Sequence, residues 1–121
     1  MAKEAWPDWD VYVRDKCICA YCGLDGKKDI RIWGQLQIDH IIPKKLGGSN
    51  TRENKVVACT RCNTLKGDKD PRQNLPRENQ TSVSREDLIQ ISKQLIREGS
   101  IRKDEETDYK LMMDEIKQID S

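Results

Sequence analysis

Two Cys-x2-Cys pairs, Cys19/Cys22 and Cys59/Cys62, constrain what this chain can fold into more than any other feature. Each pair can present two thiolates to one tetrahedral ion, and two such pairs fill a structural zinc site. A closed four-thiolate site keeps no open coordination position, so it holds structure and does no chemistry itself. Any chemistry must lie in what the metal organises. The candidates it organises are Asp39, His40, Asn54 and Asn63, all polar and all inside or directly behind the clamped span.

The chain has 121 residues, enough for one domain with a modest core. Hydrophobic residues make up 36% and charged residues another 36%, with no Phe, and so thin a core benefits from a metal staple. The x2 spacings, and an N-terminus that is polar rather than signal-like, favour zinc in a reducing compartment over disulfides. The fifth cysteine, Cys17, stands too close to Cys19 for a normal knuckle and reads as a small buried hydrophobe. No run approaches the roughly 18 apolar residues of a membrane span. A cytoplasmic location with no membrane partner is therefore expected.

The net charge of +1 hides an uneven distribution. Residues 23–77 carry twelve Lys/Arg against six Asp/Glu, whereas residues 78–121 carry seven against eleven. The basic excess coincides with the cysteine region and suits a polyanionic partner lying over it.

Pro7 can open a short helix with Trp6, Trp9, Tyr12 and Val13 on its apolar side. Residues 30–38 show partial alternation and read as a strand interrupted at Gly34. Pro43 and Gly47-Gly48 mark a loop, with Asn50 read as a turn residue in it. Residues 55–58 form a strand or a turn, and Thr60 to Lys69 a short helix ended before Pro71. Residues 70–83 look like a linker. Ser84 is the expected N-cap of a helix with Leu88, Ile91, Leu95 and Ile96 on one face and Gly99 as its stop. A second helix fits roughly 104–119, with Tyr109, Met112, Ile116 and Ile119 near one side and four acids in its first turns. These two helices could fold back on the metal module, pair with a second copy or bind another protein.

His40 is the only histidine. Asp39 precedes it, so on extended backbone the two side chains point in opposite directions and take different roles. A carboxylate and an amide oxygen can hold a hard cation such as Mg²⁺ together with water. A neutral imidazole can take a proton from water near pH 7. Together these are parts for hydrolysing a phosphodiester.

Three stretches, RDKCICAYCG at 14–23, DHIIPKKLGGSNTRENKV at 39–56 and ACTRCNTLKG at 58–67, resemble the HNH endonuclease family in its four-cysteine, zinc-containing subgroup. The resemblance covers about half the chain and leaves residues 80–121 unmatched. It implies an α+β fold, a small zinc-stapled ββα-metal finger with an N-terminal helix and a C-terminal helical extension. Strands near 36–40 and 55–58 and a helix from about 60 would build the finger. Residues 1–77 would form the nuclease domain, and residues 78–121 a linker and two-helix extension.

The resemblance also assigns roles. His40 matches the general base and Asp39 the neighbouring carboxylate of the catalytic metal. Asn54 matches the middle asparagine, which braces the loop and the histidine. Asn63 matches the last motif position, where many members carry His; it contributes to the catalytic metal site. An amide oxygen there favours Mg²⁺ or Mn²⁺ over softer ions. Zn²⁺ would sit on Cys19, Cys22, Cys59 and Cys62. Lys44, Lys45, Arg52, Arg61 and Lys66 are candidate DNA contacts, with Lys66 reaching a phosphate from the helix surface. The implied activity is metal-dependent hydrolysis of DNA. The rival readings are a zinc-stabilised module that binds DNA without cutting it, and a partner-dependent nuclease subunit of a restriction, phage or mobile-element system.

Overall fold

The structure, a computed structural model, describes residues 3–120. Its centre is one antiparallel hairpin. Strand β1 (Leu36–His40) pairs with β2 (Lys55–Cys59) in a register that sets Leu36 opposite Cys59 and His40 opposite Lys55. Helix α3 (Thr60–Lys66) follows β2 without a break, giving the ββα unit. This is the small α+β finger expected. All five residues of β2 are buried, because helix α1 (Trp9–Arg14) and α3 both pack on it.

Of the strand expected over 30–38, only residues 36–38 are extended, as the start of β1. Asp29 accepts a hydrogen bond from the Arg31 amide and caps a single helical turn, α2 (Ile30–Trp33). A side chain that bonds its own neighbouring amide offers the backbone an alternative to a sheet ladder. Ile30, at 77% exposure, has no partner face that a strand would need. Trp33 stacks on Trp6 instead, ring centroids 5.5 Å apart.

Helix α1 is anchored by charge as well as by part of the apolar side read from the sequence, since Tyr12 packs against the core. Val13 is exposed, and Val11 is the residue that enters the core. Arg14 donates to the Arg52 and Lys55 carbonyls at 2.8 and 2.6 Å, and Asp15 accepts from the Val57 amide at 2.9 Å. Lys55 in turn reaches Asp8 at 2.7 Å.

Helix α3 ends at Lys66, three residues before the expected limit of Lys69, because Gly67 turns to φ +56°. With a positive φ and ψ −139°, this is a conformation open to glycine and closed to residues with a side chain. Helix α4 (Arg85–Arg102) begins as expected, with the Ser84 hydroxyl accepting from the Asp87 amide at 3.0 Å. Leu88, Ile89 and Ile96 bury themselves in the same core as Val57 and Leu65. Gly99 does not stop this helix. A methyl there would lie 3.1 Å from the Leu65 carbonyl oxygen, so the glycine instead lets α4 approach α3 closely.

Helix α5 (Glu105–Asp120) has no buried residue. Its start is pinned by Glu105, which accepts from Ser100 and pairs with Arg61. Tyr109, Leu111, Met112, Ile116 and Ile119 are exposed. Among the described residues no helix is long and apolar enough to cross a membrane.

Candidate metal centre and active-site cleft

The four knuckle cysteines converge. Their sulfurs all lie within 4.8 Å of one another, and Cys22 and Cys59 are 3.7 Å apart. Thiolates ~2.3 Å from one tetrahedral ion stand about that far apart, so this group is positioned to bind a metal ion. Backbone geometry prepares it: the Cys59 sulfur caps α3 by accepting from the Cys62 amide, and Cys19 accepts from the Gly23 amide at its carbonyl to turn the first knuckle. Without a cation the thiols cannot ionise together. A hydrogen bond from Cys62 holds Cys19 below its usual range and raises Cys62, while burial pushes Cys22 up to about 11. A dication removes that conflict. Cys17 lies outside the group.

Asp39, His40 and Asn63 line one cleft of about 340 Å³ with Lys44, Lys45 and Asp68. The opposed directions expected of neighbours on a strand are thus partly undone, because His40 is the last residue of β1 and the chain turns behind it. Asp39 is only 5% exposed. It accepts from the Tyr21 hydroxyl at 2.6 Å and pairs with Lys66 at 3.1 Å. Burial, then the Asp39 carboxylate, raises the Tyr21 phenol well above its ordinary range, so it stays a donor. Tyr21 stands between the two cysteines of the first knuckle, linking the sulfur cluster physically to the cleft. Nothing in its sequence spacing signals this role.

Lys66 corrects the reading of a surface phosphate contact. Its side chain is fully buried, and besides Asp39 it donates to the His40 carbonyl at 3.0 Å. A charge so placed needs its partner, since an unpaired buried ion is costly. The other basic candidates are exposed. Arg52 pairs with Asp10, Lys45 with Asp68 and Arg61 with Glu105, while Lys44 forms no ion pair among the described residues. The Asn63 amide also has no side-chain partner among the described residues, so its oxygen is available to the cleft. Asp39 and Asn63 are hard oxygen donors, a chemistry that fits Mg²⁺ or Mn²⁺ completed by water and phosphate oxygens.

Asn54 clamps the loop behind the histidine. Its Oδ1 accepts from the Ile42 amide at 2.9 Å, and its Nδ2 donates to the Ile42 and Ser49 carbonyls at 2.9 and 2.8 Å. It braces backbone and does not touch the imidazole. That contact belongs to Asn50, whose Oδ1 lies 3.1 Å from His40 Nε2. The clamp depends on Gly48. A methyl there would sit 1.8 Å from the Ile42 carbonyl oxygen and 2.9 Å from Asn54 Nδ2. Gly48→Ala should therefore cost about 1–3 kcal/mol, typical of forced overpacking. An unchanged urea midpoint would contradict this loop geometry.

A larger hollow of about 460 Å³ lies between Arg61 and α5, lined also by Ser100, Glu105, Glu106 and Tyr109. It contains no imidazole and no free amide, so the chemistry belongs to the other cleft.

The family model for the HNH endonuclease matches residues 19–69, less than half of the chain. Over 55 residues the chain is 44% identical to the CRISPR-associated endonuclease Cas9 of Corynebacterium diphtheriae, covering 45% of this chain and 5% of that protein. The chain thus spans a small fraction of the relative's length. No solved structure gives a significant match. The matched stretch contains all four converging cysteines, the hairpin, α3 and every cleft residue named above, and so the similarity to the HNH endonuclease model falls on the site itself.

Proposed function

We propose that this protein is a metal-dependent endonuclease that hydrolyses DNA phosphodiester bonds in the Asp39–His40–Asn63 cleft, with Zn²⁺ on the four cysteines as a structural ion. The observation that carries the reading is the meeting of an imidazole, a buried carboxylate and an unpartnered amide in one cleft. His40 is bonded through Nε2, which leaves Nδ1 to take the proton of an attacking water. Asp39, fixed by Tyr21 and Lys66, and Asn63 would hold the divalent ion. When bound, Mg²⁺ or Mn²⁺ would neutralise charge on the phosphate and on the leaving 3′ oxygen. Asn54 keeps the loop from moving the imidazole out of line. Cleavage would leave 3′-hydroxyl and 5′-phosphate ends. Lys44 and Lys45, at the cleft edge, and Arg52 are the contacts we assign to the DNA backbone, with Arg61 more remote; Lys66 acts inside the site instead.

The test is nicking of supercoiled plasmid by zinc-loaded protein, with a single-stranded RNA in parallel. We expect nicking with Mg²⁺ or Mn²⁺ and none in EDTA. A zinc-loaded, folded preparation that cuts neither substrate with either ion defeats the nuclease reading. Cleavage of RNA alone would move the substrate.

A further inference from the structure

We propose that Asn50 is a positioning residue for His40, holding the proton on Nε2 and leaving Nδ1 as the basic nitrogen; this rests on the nuclease reading above. The Asn50 Oδ1 lies 3.1 Å from His40 Nε2. A carbonyl oxygen can only accept, so the bond selects the Nε2–H tautomer. In a neutral imidazole the other nitrogen is then the unprotonated one. The same hydrogen bond resists a flip of the ring about Cβ–Cγ, which would put Cδ2 where Nδ1 stands and Cε1 where Nε2 stands.

Asn50 is well placed to act this way. It sits on the loop that Asn54 clamps, and the residue before it gives its carbonyl directly to Asn54 Nδ2 at 2.8 Å. Across Asn50, the Ser49 and Thr51 hydroxyls bond each other at 2.8 Å. The acceptor is therefore carried on a segment tied down from both sides. The two asparagines share the work, since Asn54 holds the backbone and Asn50 holds the ring. The bond is exposed, so its value lies in orientation more than in stability.

One property of the chain makes the test clean, since His40 is its only histidine. A long-range proton–nitrogen NMR spectrum of the zinc-loaded protein, at a pH where the ring is neutral, shows two ring nitrogens and nothing else from imidazole. In the parent, Nε2 should read as the protonated nitrogen and Nδ1 as the bare one. Asn50→Ala should move both signals toward the averaged positions of a free ring. Asn50→Asp, which keeps an acceptor at the same reach, should restore them. In cleavage, Asn50→Ala should lower kcat by roughly 10- to 100-fold, about the effect of removing an imidazole's hydrogen-bond partner at a metal site, with KM little changed. Asn50→Asp should recover most of that loss.

A parent spectrum with the proton on Nδ1 overturns the proposal. So do nitrogen signals that Asn50→Ala leaves in place, or a kcat within twofold of the parent in that variant. The spectrum needs no activity. If the parent cuts nothing, the nuclease reading and this catalytic role fail together, while the ring nitrogens still decide whether Asn50 orients His40.

Discussion

His40→Ala should lower plasmid nicking by roughly 10² to 10⁴-fold, the usual contribution of a positioned base, and leave the fold in place. The substitution removes a half-buried ring at the end of β1 whose one side-chain bond among the described residues goes to the exposed Asn50. None of the converging cysteines touches it, and the contact that its backbone carbonyl makes with Lys66 survives. Zinc content and the circular dichroism spectrum should therefore match the parent. Nicking within about twofold of the parent, in a preparation free of contaminating nuclease, would remove His40 from the mechanism. Asp39→Ala should be as inactive but less innocent. It strands the fully buried Lys66 and leaves the Tyr21 hydroxyl without its acceptor. Lost stability on the order of 3–5 kcal/mol is expected there, as when one partner of a buried pair is removed. High Mn²⁺ should restore part of the activity in that variant if the fold survives.

Cys59→Ser should lose both the metal and most of the ordered structure. The choice of serine isolates the metal. Cys59 closes β2 and caps α3 through its sulfur, and a serine hydroxyl is itself a good N-cap. What the variant lacks is the fourth thiolate. Structural zinc contributes about 10–16 kcal/mol of apparent binding free energy, comparable with or greater than the ~5–15 kcal/mol that holds a small domain together. Elemental analysis after dialysis should fall from near one zinc per chain to well below it, with helicity and the thermal transition falling too. Because Tyr21 lies inside the first knuckle, loss of the metal should also release Asp39 from its tyrosine, so nicking disappears as well. Cys17→Ser should keep its zinc, since Cys17 lies outside the converging group. Full zinc retention with an unchanged unfolding curve in Cys59→Ser would remove the four-cysteine assignment.

The parts of this molecule that sequence determines are those set by local covalent spacing. Cys-x2-Cys fixes how far apart two thiols can stand, and two such pairs around a hairpin leave one sensible meeting point. The resemblance to the HNH family implied strands near 36–40 and 55–58 and a helix from about 60, and the structure has them at Leu36–His40, Lys55–Cys59 and Thr60–Lys66. Ser84 announced α4 through a hydrogen bond to an amide three residues on. Local signals misled where two of them competed. At residues 30–33 the alternation suggested a strand, but the Asp29 cap and an unburied Ile30 settled a helical turn. At Gly99 the glycine looked like a stop, yet its missing side chain serves a helix contact with Leu65 that no local pattern records.

Tertiary structure alone decided the environment of each cleft residue. Lys66 reads as a surface lysine on a seven-residue helix, and only the packing of α3 over β1 buries it against Asp39, 27 positions earlier. Tyr21 reaches the same carboxylate across 18 positions, and Asn50 reaches His40 across 10. Such pairings depend on which faces the hairpin, α3 and α4 bury together, and burial is a property of the whole core. Chemical identity and spacing are written along the chain, but the charge balance and hydrogen bonding that tune a reactive group are set by neighbours brought in through folding.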